Sequence, residues 1–127
     1  MTNTPADFIK EVLEDNASIT ALVGTRIYHG LLPQVEQQLP YIVFYQIDAP
    51  NLEGNAERER WQVSIRAKTI TALKTLAFLV RSAFNNLQGA YTGFDVQMCY
   101  YDSAQFFQEE WEMYHAPLDF FIFYIRT

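Results

Sequence analysis

The sequence predicts an α+β fold, with an antiparallel β-sheet of four or more strands packed by one long helix and a short N-terminal helix. Three observations support it. The apolar patterns run helix, strand, strand, long helix, strand, strand, and strands consecutive in sequence pair most easily antiparallel. Arg60–Lys68 alternates strictly, with Trp61, Val63, Ile65 and Ala67 on one face and Gln62, Ser64, Arg66 and Lys68 on the other. Thr69–Leu87 carries Leu73, Leu76, Ala77, Val80, Phe84 and Leu87 at helical spacing, one buried stripe. A chain of 127 residues, 50% of them apolar, is long enough for one domain, 1–127, with a real core.

The elements follow in order. Thr4 can cap a helix, Pro5 fits its first position, and Asp7 suits the positive helix end. Phe8, Ile9, Val12 and Leu13 then form an apolar stripe that Asn16 is expected to end. A short helical turn, Ser18–Val23, stops at Gly24, and Arg26–Leu39 reads as a connector with a brief strand at Arg26–His29. Tyr41–Ile47 is β-branched and aromatic and predicts a strand. Ala49–Glu59 is polar and too long for a tight hairpin turn. After the long helix, Asn85, Asn86 and Gly89 mark the exit, and Gly93 follows a turn. Phe94–Tyr101 places Phe94, Val96, Met98 and Tyr100 on one side of a strand. Asp102–His115 fits two readings: a helix on the spacing of Phe107, Trp111 and Tyr114, or two strands meeting in an acidic turn near Glu109–Glu112. Leu118–Arg126 is a strand apolar on both faces.

Charge and chemistry exclude several functions. A formal net charge of −6 argues against nucleic acid as a bound partner, because phosphate binding needs clustered positive charge. Arg58, Arg60, Arg66 and Lys68 share strand parity, but Glu57 and Glu59 interrupt them and no aromatic ladder alternates with them, so an ion-paired sheet face is expected. No apolar run approaches the roughly 18 residues of a membrane helix, and no export signal is read at MTNTPADFIK. The single cysteine, Cys99, allows no internal disulfide and is expected to pack as a small strand side chain. GxGxxG, GxxxxGK[ST], HExxH and GxSxG are all missing. His29, His115 and Cys99 lack the paired short spacings of a zinc site, and His115, beside Ala116 and Pro117, is expected in a turn. Glu109, Glu110 and Glu112, with Asp102 nearby, read as a solvated turn rather than an acid/base pair. The expectation is therefore no enzyme, no cofactor and no metal.

Tyr41–Ile47 and Leu118–Arg126 pose a packing problem. One helix covers one face of a sheet, yet both strands carry large apolar groups on two. Each fully buried Phe or Leu contributes about 1.5–3 kcal/mol, so a wet second face is a substantial loss. The sheet can curl over that face, the N-terminal helix can cover part of it, or another subunit can cover it. An N-terminal helix of about three turns is too short to cover it all, so a partner surface is expected.

Four stretches then carry a family resemblance. They are Ala21–Tyr28 (ALVGTRIY), Leu39–Tyr45 (LPYIVFY), Trp61–Thr69 (WQVSIRAKT) and His115–Phe120 (HAPLDF). In that order and spacing the chain resembles the tail-completion or head–tail joining proteins of long-tailed phages, whose fold is similar to tail terminators. The resemblance spans nearly the whole chain, although Asp102–Met113 is longer and more aromatic than that family leads one to expect. It implies a structural virion protein at the neck end of the tail, assembled in the host cytoplasm. There it would form a ring of six copies between the head connector and the tail-tube proteins. It also implies that Ala49–Glu59 is an interface loop, with Pro50, Asn51, Leu52, Glu53, Asn55, Glu57 and Arg58 as its contact residues. Six copies at −6 each would carry about −36, and acids facing the bore would let DNA pass without specific binding. Two readings compete with it: a small-ligand binding module with an aromatic pocket between helix and sheet, and an enzyme using Asp102, Glu109 and Glu110.

Overall fold

A computed structural model describes residues 4–30, 38–48 and 56–127. The contact residues Pro50, Asn51, Leu52, Glu53 and Asn55 lie outside the described residues.

Helix α1 (Pro5–Glu14) starts as its sequence dictates: the Thr4 side chain accepts the Asp7 N–H at 3.2 Å, and Pro5 needs no partner for a missing N–H. Asn16 does not end α1 but opens the next helix, α2 (Ala17–Val23), where its Oδ1 accepts the Ile19 N–H at 3.1 Å. Gly24 closes α2 at φ +59°, a conformation disfavoured for residues with a Cβ. Strand β1 (Ile27–His29) is followed by β2 (Tyr41–Asp48), β3 (Ala56–Ala67) and α3 (Ile70–Phe84). Thr69 caps α3 by accepting the Ala72 N–H at 3.1 Å. The helix stops three residues short of Leu87 because Asn86 turns to φ +65° and gives its N–H to the Cys99 carbonyl. Then come β4 (Gly89–Tyr91), β5 (Phe94–Ala104), β6 (Phe107–Glu110) and β7 (Met113–Arg126).

Two features of the expected architecture are corrected. The sheet has seven strands in the order β1-β2-β3-β7-β5-β4, with β6 also on β7, and it is mixed, because β1 runs parallel to β2. The stretch from Gly30 to Pro40 supplies the long connection a parallel pair needs. The helical layer is three helices, the expected short N-terminal and long helices being joined by a separate α2 where only a short turn was expected. Phe8, Ile9, Leu13, Ile19 and Val23 from α1 and α2 join the α3 stripe over Ile42, Phe44, Trp61, Val63, Leu118, Phe120 and Ile122 in one core.

The polar stretch expected to reach Glu59 yields earlier to β3, which pairs residue for residue with β7 from Ala56↔Ile125 to Ala67↔Tyr114. Asp102–His115 contains a β-hairpin, so the helical alternative is excluded. Phe107 pairs with His115 and Gln108 with Tyr114, and Glu112 takes φ +56° in the turn. Parity in β5 also departs from expectation. A register shift between Val96 and Met98 turns Cys99 into the core and leaves Met98 outside.

Three buried positions among the described residues are polar: Glu59, Ser64 and His115. Glu59, 8% exposed, accepts hydrogen bonds from Trp61 Nε1 (2.8 Å) and from the Tyr124 hydroxyl, tying the start of β3 to the end of β7. Glu59→Ala leaves Trp61 Nε1 unpaired, at about 1–3 kcal/mol, and the Tyr124 hydroxyl with Glu57 alone. Urea unfolding is expected to show a lower midpoint with an unchanged slope. A midpoint equal to the parent's would remove Glu59 from this role.

Candidate interaction surfaces

The helices cover one face of the sheet, and the other face holds the candidate surface. Even-numbered residues of β7 enter the core; the odd-numbered ones point away from it. Phe121 and Phe123 therefore lie on the outer face, where the Tyr100 ring of β5 stacks on both, at 5.3 and 5.8 Å between centroids. Met98 (43% exposed) and Ile125 (41%) extend this aromatic patch. From β3, the guanidinium groups of Arg58 and Arg60 sit 5.2 and 5.7 Å from the Phe121 ring.

This arrangement corrects one expectation. An aromatic ladder does lie beside the basic stripe, but it comes from β5 and β7 rather than from β3 itself. The stripe is ion-paired all the same: Arg60 to Asp119, Arg66 to Glu109 at 2.6 Å, and Lys68 to Glu112 at 3.7 Å. The two described residues of the predicted contact set part company here. Arg58 joins the aromatic patch, whereas Glu57 pairs with Arg126 from the opposite parity. Burial raises the Glu57 carboxyl, but hydrogen bonds from Arg126 and Tyr124 and the guanidinium charge outweigh it, leaving Glu57 below its ordinary value.

His115 is in a strand, not a turn, and it is buried. Its Nε2 lies 2.8 Å from Ser64 Oγ, and its Nδ1 lies 3.8 Å from Glu109 Oε1. This Ser–His–Glu order is not legible in the sequence, since Ser64 is distant in the chain from Glu109 and His115 and the three are joined only by the β3–β7 and β6–β7 registers. It has the connectivity of a nucleophile, a base and an orienting acid, but not the geometry. Glu109 is beyond hydrogen-bond reach of Nδ1 and is held by Arg66. Ser64 is 2% exposed, so a substrate carbonyl could reach Oγ only by displacing the side chains packed over it. Ser64 and His115 form a buried polar tie. Burial first, then the Arg66 charge, lowers the His115 pKa, with Glu109 opposing. Burial also pushes the Cys99 thiol up to about 12, which makes it unreactive.

At the centre of the helix–sheet interface the aromatic rings pack on one another. Phe84 lies 5.1 Å from Phe120 and 6.4 Å from Phe8. Open space occurs at the edge, in a groove of about 170 Å³ between α3 and β5, lined by Lys74, Ala77, Phe78, Arg81, Tyr101, Ala104, Phe106 and Leu118. The β6–β7 hairpin projects nearby with every residue of β6 exposed and Trp111 at its tip 85% exposed. Sequence reasoning singled out neither Trp111 nor Phe78 as a surface residue; Trp111 also suits the helical spacing of Phe107 and Tyr114. Among the described residues no group of three or more His, Cys, Asp or Glu could hold a metal ion, and no helix is long and apolar enough to cross a membrane.

A family model described as "Tail completion protein gp17" matches residues 9–125. A solved structure titled "Virion of native gene transfer agent (GTA) particle" contains a chain of similar fold. Its TM-score is 0.74 at 20% identity, over 92% of this chain and 91% of that one. No curated protein matches the sequence.

The lowered His115 pKa sets a pH dependence. The unfolded chain binds the proton more readily, so stability is complete above the ordinary value of 6.5 and is lost as pH falls through the lower folded value. His115→Gln is expected to flatten the fall in urea midpoint between about pH 7.5 and pH 5. The lowered Glu57 and Glu109 act in the same direction but below their ordinary 4.5, a separate window. An unchanged slope in the variant would contradict the assignment.

Proposed function

The chain belongs to the tail completion protein gp17 family, and from that premise we propose that it is a structural, non-enzymatic virion protein joining the head connector to the tail tube. It acts as a ring of six copies at the neck end of the tail, assembled in the host cytoplasm, and DNA passes through the ring without specific binding. The observation that carries this reading is the family match across residues 9–125. The outer face supports it physically. Tyr100, Phe121, Phe123, Met98 and Ile125 form an apolar patch without a helix over it, and a neighbouring subunit or the connector would bury it. The acidic balance of −6 per copy suits a bore that DNA must traverse without sticking.

In this reading the segment around Pro50–Asn55, with Arg58 at its strand end, touches a neighbour or the connector. Because Glu57 is tied to Arg126 within β3 and β7, the loop is best altered short of it. Replacing residues 50–55 by a Gly/Ser run of equal length is expected to leave thermal unfolding of the purified protein nearly unchanged. In cells producing the particle, the same change is expected to leave filled heads and separate tails in electron micrographs. Joined particles at the parent's frequency would refute the loop's role.

The aromatic patch has its own test. Phe123→Asp is expected to give a folded protein and a tenfold or greater drop in joined particles, about the effect of one interface hot spot. Removing the whole gene tests the joining role itself: normally joined particles in its absence would refute it.

A further inference from the structure

The hairpin and the edge groove are complementary in shape and charge. The tip exposes an indole among three carboxylates, Glu109, Glu110 and Glu112, two of which also pair with Arg66 and Lys68 of their own chain. The groove is apolar at its base and cationic at its rim. Lys74, Phe78 and Arg81 recur at helical spacing along α3, Phe78 is 68% exposed, and Arg81 lies 4.4 Å over the Tyr101 ring. A void of about 150 Å³ holds a benzene ring, so a groove of about 170 Å³, open on one side, has room for an aromatic side chain.

The tip cannot fill its own groove. Phe106 lines the groove and Trp111 is five residues further along an extended strand, about 16 Å away at the rise of a β-strand. β6 is held on β7 by the Phe107↔His115 and Gln108↔Tyr114 pairs, so the tip cannot fold back without breaking them. An exposed tryptophan ringed by acids and an apolar groove rimmed by bases thus occur on every copy, out of each other's reach.

We infer that Trp111 at the hairpin tip of one copy seats in the α3–β5 groove of the next, Glu110 and Glu112 facing Lys74 and Arg81. The contact is heterologous, tip into groove, and repeated copies close into a ring when the rotation between them allows. This inference rests on the proposed ring, and its test separates the two.

Cells producing the particle are given the full chain carrying Gln108→Cys and Ser82→Cys, exposed positions beside the hairpin tip and the groove that leave Trp111 and Phe78 in place. Purified particles are treated with a short bis-maleimide and resolved under denaturing conditions. A ladder of covalent multimers of this chain is expected, and each single variant should remain monomeric. Particles that contain the chain in several copies but give no ladder overturn the tip-in-groove contact and leave the virion role standing. Crosslinking to a protein of another mass also overturns it. Particles that lack the chain altogether overturn both readings. If the cysteine pair yields no particles, charge reversal decides. Lys74→Glu with Arg81→Glu is expected to cut joined particles at least tenfold, and adding Glu110→Lys and Glu112→Lys to restore them. Failure of that rescue, with the purified variants folded by circular dichroism, overturns the contact.

Discussion

The β7 strand is the constraint on which the rest depends. It pairs along its length with β3 on one side and with β5 and then β6 on the other. Its even-numbered side chains, Leu118, Phe120, Ile122 and Tyr124, are all buried under the helices. Its odd-numbered chains include Phe121, Phe123 and Ile125. A strand in the middle of a sheet with aromatic residues on both faces cannot be satisfied by one helical layer. The three helices all contribute to the same core, so the odd-numbered face is left to stacking within the sheet and to whatever covers it from outside.

What the chain does on that outer face is partial compensation. Tyr100 stacks on two phenylalanines, two guanidinium groups lie against Phe121, and ion pairs bind the strands laterally. Exposed ion pairs contribute about 0–1 kcal/mol each, far less than the burial of a phenylalanine. Their value is in register. Arg60–Asp119 and Ser64–His115 bind adjacent strands, and a slip of one residue would send each partner to the opposite face. The outer face is thus ordered without being dry.

Much of this was legible in the sequence. Thr4 and Pro5 mark a helix start because capping is a local interaction between a side chain and N–H groups two or three residues on. The strict alternation of Trp61–Ala67 gave β3 its faces, and the double aromatic pattern of Leu118–Arg126 signalled the uncovered side. What escaped notice depended on pairing or on register shifts. The alternation in β5 was read straight through a bulge that the sequence does not mark, so Met98 and Cys99 exchanged roles. His115 was misplaced because Pro117 suggested a turn, whereas β7 tolerates proline at a position where β5 gives way to β6. The Ser64–His115–Glu109 cluster arises only when three strands align. The basic stripe gained its aromatic neighbours in the same way, from strands adjacent in space rather than in sequence.

The positions of the two apolar surfaces constrain any assembly. The outer patch belongs to the middle of the sheet, on β5 and β7, whereas the hairpin tip and the α3 groove lie beyond its edge. A two-fold dimer matches tip and groove only where both lie on one self-complementary face, each tip entering the other copy's groove. In the proposed head-to-tail arrangement every copy uses both members of the unlike pair, and closing the ring leaves no tip or groove unfilled at an end. The charge distribution fits the same choice. Acids cluster on the hairpin and bases rim the groove, so two copies meeting like to like would repel, while unlike surfaces attract. In the proposed assembly, neighbours cover the sheet face that the helices leave open and receive the hairpin tip that cannot reach its own groove.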